Sequence, residues 1–214
     1  MKPATGDPHS FDAMLRKARR WVPIVLGVTR RSPIDPALVL AVIHTESGFD
    51  PMARSSAGAC GLMQLIPEAG ARTASAYLTG RRCSIPDAAL FRPRLNILLG
   101  VAYLEWLWLR KFGRTSPDIC RTLICVAAYN AGPNRISRWL TDLRRTEQPS
   151  LAAQDFVTDE LLFTLTTTLP WRETRQFVSL VASHWECYRN WLGFPQAVTR
   201  RALRVDGVGL QRRE

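Results

Sequence analysis

The stretch from Pro93 to Phe112 constrains this chain most, because Ile97, Leu98, Leu99, Val101, Leu104, Trp106 and Leu107 put apolar groups on nearly every side of a helix. A helix of that kind needs neighbours on all sides, so it is expected to be the spine of a core. Around it the periodicity predicts further helices. Ser32-Pro33-Ile34-Asp35-Pro36 is a helix-entry signal, with Asp35 able to cap free N–H groups and Pro36 suited to the first helical position. The helix it opens should run to about Ser47. Apolar residues continue at helical spacing over Pro117–Tyr129, which Gly132 and Pro133 stop, and over Arg135–Leu143, Leu151–Leu169 and Trp171–Trp191. No convincing set of strands, repeat or low-complexity tract appears, so the fold class is all-α.

The chain starts with a second pattern. Met14, Leu15, Ala18, Val22 and Val25 recur at helical spacing from Phe11, with Arg16, Lys17, Arg19 and Arg20 between them. This basic amphipathic helix is read as packed on the core with a solvated charged face; attachment to an anionic surface is the functional alternative. The longest apolar runs, such as Trp21–Val28, are far shorter than the roughly 18 residues a membrane helix needs. The segment Met1–Asp7 lacks the apolar stretch and cleavage site of a secretory signal. Residues Arg200–Glu214 read as a loose basic tail.

At 214 residues and a formal charge of +11, the chain suits one folded unit with short extensions and an anionic partner. Nearly all that positive charge is arginine, the better planar binder of carboxylate and phosphate. Charge alone selects no partner, and nucleic acid ranks last because no recognition helix or aromatic-basic motif accompanies it. Cys60, Cys83, Cys120, Cys125 and Cys187 cannot all pair, and their spacing is not that of a zinc site. They read as buried thiols, with a Cys83–Cys120 bridge as one candidate in an oxidising compartment. His184 and Cys187 have helical ligand spacing, but two ligands do not make a metal site. Trp171, Trp185 and Trp191 read as core packing first and as sugar platforms second.

The chemistry concentrates at the end of the Pro36 helix. At about 100° per residue, Glu46 falls in line with Val39 and beside Val42 and Ile43, which sets a carboxyl group against an apolar wall. Desolvation and the negative end of a helix both oppose ionisation, so such a group keeps its proton and acts as a general acid. His44, two residues away, points about 160° from it and is read as belonging to another face. The glycines Gly48, Gly58 and Gly61 and the run Leu62-Met63-Gln64-Leu65-Ile66-Pro67 follow. Glycines let backbone approach a ligand, and an amide beside apolar side chains suits a sugar.

Three ordered motifs sharpen this reading: Glu46-Ser47-Gly48-Phe49-Asp50-Pro51, then Ser55-Ser56-Ala57-Gly58-Ala59-Cys60-Gly61-Leu62-Met63-Gln64, then Ala128-Tyr129-Asn130-Ala131-Gly132-Pro133. Together they resemble the signature of family 1 soluble lytic transglycosylases. Asn96-Ile97 with Gly100 and Tyr103-Leu104, and Leu169-Pro170 with Glu173-Thr174-Arg175, agree with it. The resemblance covers Ile34 to about Trp139 well and Leu169–Val178 loosely.

It implies a goose-lysozyme-like helical domain with a glycan groove, assigned to residues 32–195; the basic helical extension over 1–31 and the tail over 196–214 lie outside the resemblance. It also implies peptidoglycan as substrate, Glu46 as the single acid and base, and substrate contacts from Ser55, Met63, Gln64, Ile66, Tyr129, Asn130 and Glu173. Tyr129 would set its phenol beside Glu46, and Glu173 would meet the peptide stem. No metal or cofactor is implied. A monomer in the periplasm or cell envelope is expected, with a secretion or envelope-assembly machine as a further partner.

Ile66, Ala69, Arg92 and Phe177 depart from residues that relatives often carry, which are Met, Thr, Asp and Tyr respectively. The loss of a hydroxyl at Phe177 bears on groove specificity. Two rival functions stand beside this one: a hydrolytic lysozyme on the same scaffold, and a wall-binding assembly protein in which catalysis is secondary.

Overall fold

The helix-entry signal at Asp35 works as its chemistry requires. In the computed structural model, which describes residues 8–115, 118–146 and 158–195, the Asp35 carboxylate accepts the Ala37 N–H at 2.8 Å and Pro36 occupies the first turn. The described residues form helices α1 (Pro8–Arg19), α2 (Val22–Thr29), α3 (Pro36–Ser47), α4 (Arg72–Thr79), α5 (Asp87–Leu90), α6 (Pro93–Trp106), α7 (Asp118–Ala131), α8 (Pro133–Thr146), α9 (Thr158–Thr167) and α10 (Arg172–Leu192). A π turn at Pro67–Ala71 leads into α4, and a second at Leu107–Lys111 extends α6. Two isolated bridges, Arg54 with Cys60 and Cys60 with Leu65, are the only β pairing among the described residues. The all-helical expectation holds.

The chain divides into two compact units, Met1–Lys111 and Phe112–Glu214. In the first, α6 is the spine: it buries Asn96, Ile97 and Leu99 through Leu104, and packs against α2, α4 and α5. Helix α3 packs against α1 and α2 and is buried on every side over seven consecutive residues, Ala37–Ile43. In the second, α7 buries Cys120 and Leu123–Ala128 and packs against α8, α9 and α10. Thr174, Phe177, Val178, Val181, Ala182, Trp185 and Tyr188 mark the inner face of α10 at steps of three and four. Trp185 is therefore core, while Trp171 and Trp191 are half-buried.

Several elements differ from the sequence reading. The single helix expected from Phe11 is two helices broken at Arg20 and Trp21. A continuous helix would need an N–H at Pro23 to bond back to Arg19, and proline has none. Ala18, Trp21 and Val25 are buried, so this basic segment packs on the core. Helix α4 was not anticipated, because its buried residues are Ala74 and Ser75, too small to register as a hydrophobic stripe. The Cys83–Cys120 bridge does not form: all five cysteines are free, with Cys83 exposed and Cys120 fully buried. Burial pushes the thiol of Cys125 far above the usual range, as expected of an inert core cysteine. The expected helix start at Leu151 and the tail lie outside the described residues. Among the described residues no helix is long and apolar enough to cross a membrane, and no group of three His, Cys, Asp or Glu could hold a metal ion.

Candidate active site

Helix α3 carries Glu46 out of the core along its axis rather than around its circumference. The first two turns are buried on all sides, and residues His44–Ser47 in the last turn are half-buried. The face argument from Val39 does not account for this position, since Ala37–Ile43 are buried whichever face they occupy. What puts the carboxyl group at the boundary is depth along the helix. Gly48 then ends α3 in the left-handed conformation (φ 58°), donating its N–H to the His44 carbonyl at 3.0 Å. His44 packs against Phe49 (ring centroids 5.7 Å apart). Burial, with the Lys17 charge from α1, lowers its pKa to about 4, so this imidazole is neutral at pH 7.

The loop from Gly48 to Ile66 has almost no regular structure, yet it is held tightly. Ser47 Oγ donates to Ile43 O within α3 and to Leu62 O across the loop at 2.8 Å, tying the residue after Glu46 to the far strand of the loop. Ser55 closes a tight turn: its N–H donates to Ala59 O, its Oγ accepts the Ala59 N–H, and its carbonyl accepts the Gly58 N–H, each at 3.0 Å. Gly58 stands at φ 81° in that turn. Gln64 Nε2 donates to Ala53 O at 3.0 Å and Gly61 O at 2.9 Å. Both amide hydrogens are thereby used on the loop itself. The carbonyl oxygen is the end of Gln64 left to accept a bond from a ligand N–H or O–H.

The keystone is Asn96, fully buried in the first turn of α6. Its Nδ2 donates to Cys60 O (2.9 Å) and Leu90 O (2.8 Å), and its Oδ1 accepts the Met63 N–H (2.8 Å), so its amide hydrogens and oxygen are all engaged. Gly61 must lack a side chain, because a Cβ there would sit 2.4 Å from Leu90 O and 2.5 Å from the Asn96 amide nitrogen. Gly100, one turn along α6, gives room to Met63, whose Sδ would lie 2.2 Å from a Cβ at that position. The sequence reading named Asn96 and Gly100 only as agreeing elements. The signal that reveals their role is a buried amide and a glycine four residues apart in an otherwise apolar helix.

Two non-glycine residues among those described have positive φ, Phe49 (68°) and Gln64 (45°), and both lie in this loop. Phe49 is a bulky buried residue in a conformation that costs on the order of 1–3 kcal/mol. Strain of that size persists only where surrounding contacts determine the backbone, and here it flanks the acid.

The expected site residues separate into three groups. Glu46, Ser55 and Gln64 are half-buried around the loop, and Ile66 is 40% exposed on the wall of a cleft of about 300 Å³ that also includes Gly58, Ser84 and Pro86. Met63 is different. Its side chain is 0% exposed and packed into the core over Gly100, so the expected groove contact is corrected to a packing residue.

Tyr129, Asn130 and Glu173 belong to the second unit. Tyr129 and Asn130 are half-buried at the end of α7, where Gly132 turns the chain at φ 90° and Pro133 opens α8. Asn130 Oδ1 accepts the Thr174 hydroxyl at 2.7 Å, which fixes that corner to the first turn of α10. Glu173, beside Thr174 in this turn, is exposed, a favourable place for a carboxylate at a helix N-terminus. Phe177 is buried, so the missing hydroxyl lies inside the unit.

Comparison with known proteins adds to this geometry. A model of the family described as the transglycosylase SLT domain matches residues 25–150. The soluble lytic murein transglycosylase of Salmonella typhimurium is 30% identical over 174 residues, covering 79% of this chain and 23% of that protein. Membrane-bound lytic murein transglycosylase C of Mannheimia succiniciproducens is 37% identical over 124 residues, 57% of this chain and 34% of that protein. Among solved structures, the 70 kDa soluble lytic transglycosylase of Escherichia coli matches with a TM-score of 0.64 at 25% identity, over 84% of this chain and 26% of that one. An inactive mutant of the lytic transglycosylase Slt from Pseudomonas aeruginosa matches with a TM-score of 0.61 at 29% identity, over 84% and 26%. The chain therefore spans about a quarter to a third of the length of these relatives.

Proposed function

The chain belongs to the transglycosylase SLT domain family, and from that premise we propose that it cleaves the β-1,4 bond between N-acetylmuramic acid and N-acetylglucosamine in peptidoglycan without consuming water. Glu46 donates its proton to the glycosidic oxygen as the bond to the muramyl C1 breaks. The acetamido group of the substrate stabilises the cationic C1. The Glu46 carboxylate then removes the proton of the muramyl C6 hydroxyl, whose oxygen bonds to C1 and closes a 1,6-anhydro ring. One proton leaves the enzyme and one returns, so a second catalytic carboxylate of the kind paired glycosidases use has no task here.

The observation that carries this reading is the placement of one carboxyl group at the core boundary, on a helix end that a strained, internally bonded loop holds in place. A general acid has to be positioned before substrate arrives, and a loop whose amides bond to itself does not need substrate to order it. Ser55, Gln64 and Ile66 are assigned glycan contacts, as are Tyr129 and Asn130, with Glu173 meeting the peptide stem. Residues 32–195 are assigned to the catalytic domain, acting in the cell envelope.

Digestion of purified sacculi tests the reading. Wild type should release muropeptides one water lighter than reducing-end products. Glu46→Gln should be slower by a factor on the order of 10²–10⁴, the usual contribution of a general acid, with an unchanged melting temperature. Products with reducing ends would mean a hydrolase, and equal release by both proteins would remove Glu46 from the mechanism.

A further inference from the structure

The first unit has a larger cleft than the one beside Ile66, and the reaction assigned to Glu46 does not use it. It encloses about 570 Å³ and is lined by Arg72, Thr73, Tyr77, Arg82, Trp106 and Arg110. That volume is of small-ligand size, within the range of about 300–1,000 Å³.

Its charge is poorly compensated. Arg72 pairs with Glu68 at 3.2 Å on the exposed rim. Arg82 and Arg110 make no ion pair among the described residues. Glu105, bonded to the lining residue Tyr77, is engaged by hydroxyls: its Oε1 accepts from Tyr77 at 2.9 Å and its Oε2 from Ser32 at 3.0 Å. Burial, followed by this bond and charge at Glu105, raises the pKa of Tyr77, and the Arg110 charge opposes them. Arg110 is thus close enough to act electrostatically on the cleft floor.

The aromatic wall is fixed as well. Trp106 stacks nearly parallel on Tyr103, with ring centroids 6.0 Å apart and 9° between the planes. A third feature points the same way. Both π turns among the described residues border this cleft: the first runs directly into Arg72, and the second carries Arg110. π turns are locally unfavourable and occur frequently at functional sites, where the extra residue re-aims side chains.

We propose that this cleft is a second binding site, for a small ligand that carries two or more oxyanion groups, carboxylate or phosphate, and a flat or apolar part set against Trp106. Guanidinium groups match both oxyanions through paired N–H donors, and the fixed indole offers a face for the uncharged portion. Arg82 and Arg110, exposed and in no ion pair among the described residues, leave positive charge at the cleft that a polyanion would balance. The site stands whatever bond Glu46 breaks.

Calorimetric titration of the full chain in 150 mM salt tests it with two probes, a tri-glutamate peptide for the carboxylate source and inorganic tripolyphosphate for the phosphate source. Saturable binding is expected in at least one arm, with a dissociation constant below a millimolar, and the arm that binds identifies the source. The double variant Arg82→Gln/Arg110→Gln should weaken that binding at least tenfold while keeping its helical content and melting temperature. A second double variant, Arg94→Gln/Arg138→Gln, removes the same charge outside the cleft and should bind as wild type does. The proposal is overturned by no saturable binding in either arm, by wild-type affinity in the first variant, or by an equal loss in the second, which would make the attraction one of net charge.

Discussion

The loop after Glu46 and the corner after Tyr129 both carry motif residues, and they are held in opposite ways. Residues 48–66 form a loop without regular structure, stabilised by hydrogen bonds to itself, by Ser47 and by an asparagine that lies 33 residues beyond Met63. Residues 129–133 join two helices end to end, with a left-handed Gly132, the fixed φ of Pro133 and a side-chain bond from Thr174 to Asn130. The first stretch depends on a distant partner and stores strain. The second depends mainly on its own local code, with Thr174 as a tertiary tie. Removing a partner should therefore damage the loop far more than the corner.

The largest effect is expected at Asn96. Asn96→Ala leaves the buried Met63 N–H and the Leu90 carbonyl without their partner, at about 1–3 kcal/mol for each buried group. A fall in stability of about 3 kcal/mol or more, together with loss of lytic activity, is the outcome to look for in chemical denaturation and in a sacculus assay run on the folded fraction. A stable, active variant would show that the loop does not depend on α6.

At the corner, Thr174→Val removes one hydroxyl bond and should cost about 0.5–1.5 kcal/mol. Denaturation curves that place this variant level with Asn96→Ala would erase the contrast between the two regions. The start of the helix that carries Asn96 offers a gain of similar size. Arg92 occupies the N-cap of α6 and supplies no side-chain cap, so Arg92→Asp should stabilise by about 0.5–2 kcal/mol, read as a rise in melting temperature.

The smallest effect concerns the half-buried imidazole in the last turn of α3. With its pKa lowered from 6.5 to about 4, His44 stays neutral in the fold while the unfolded chain takes up a proton. Stability is therefore lost as pH falls through 6.5 and keeps falling until about 4. Between pH 7 and 5.5 the melting temperature should drop by roughly 1–2 °C more in wild type than in His44→Gln. An equal slope in both would mean the imidazole is solvated.

Legibility in the sequence followed the same division. The bounds of α3 were readable because Asp35, Pro36 and Gly48 act within a turn of where they stand. The corner at Gly132 and Pro133 was readable for the same reason. The loop was recognisable only as a motif, since nothing in residues 48–66 says that Asn96 completes it. Met63 shows the limit well: an apolar residue in a glycine-rich stretch suits a groove or a core equally, and the space over Gly100 decided for the core. Helix α4 escaped notice because alanine and serine bury as well as leucine does where neighbours come close.

By itself the sequence determined the helical class, the bounds of α3 and the family motifs, and it singled out Glu46 as the candidate acid, all from residues within a few positions of one another. Tertiary structure alone decided which residue braces the loop, which apolar side chains line a cleft rather than the core, and where three arginines from separate elements converge. Those outcomes depend on groups far apart in the chain, whose proximity exists only after packing has brought their helices together.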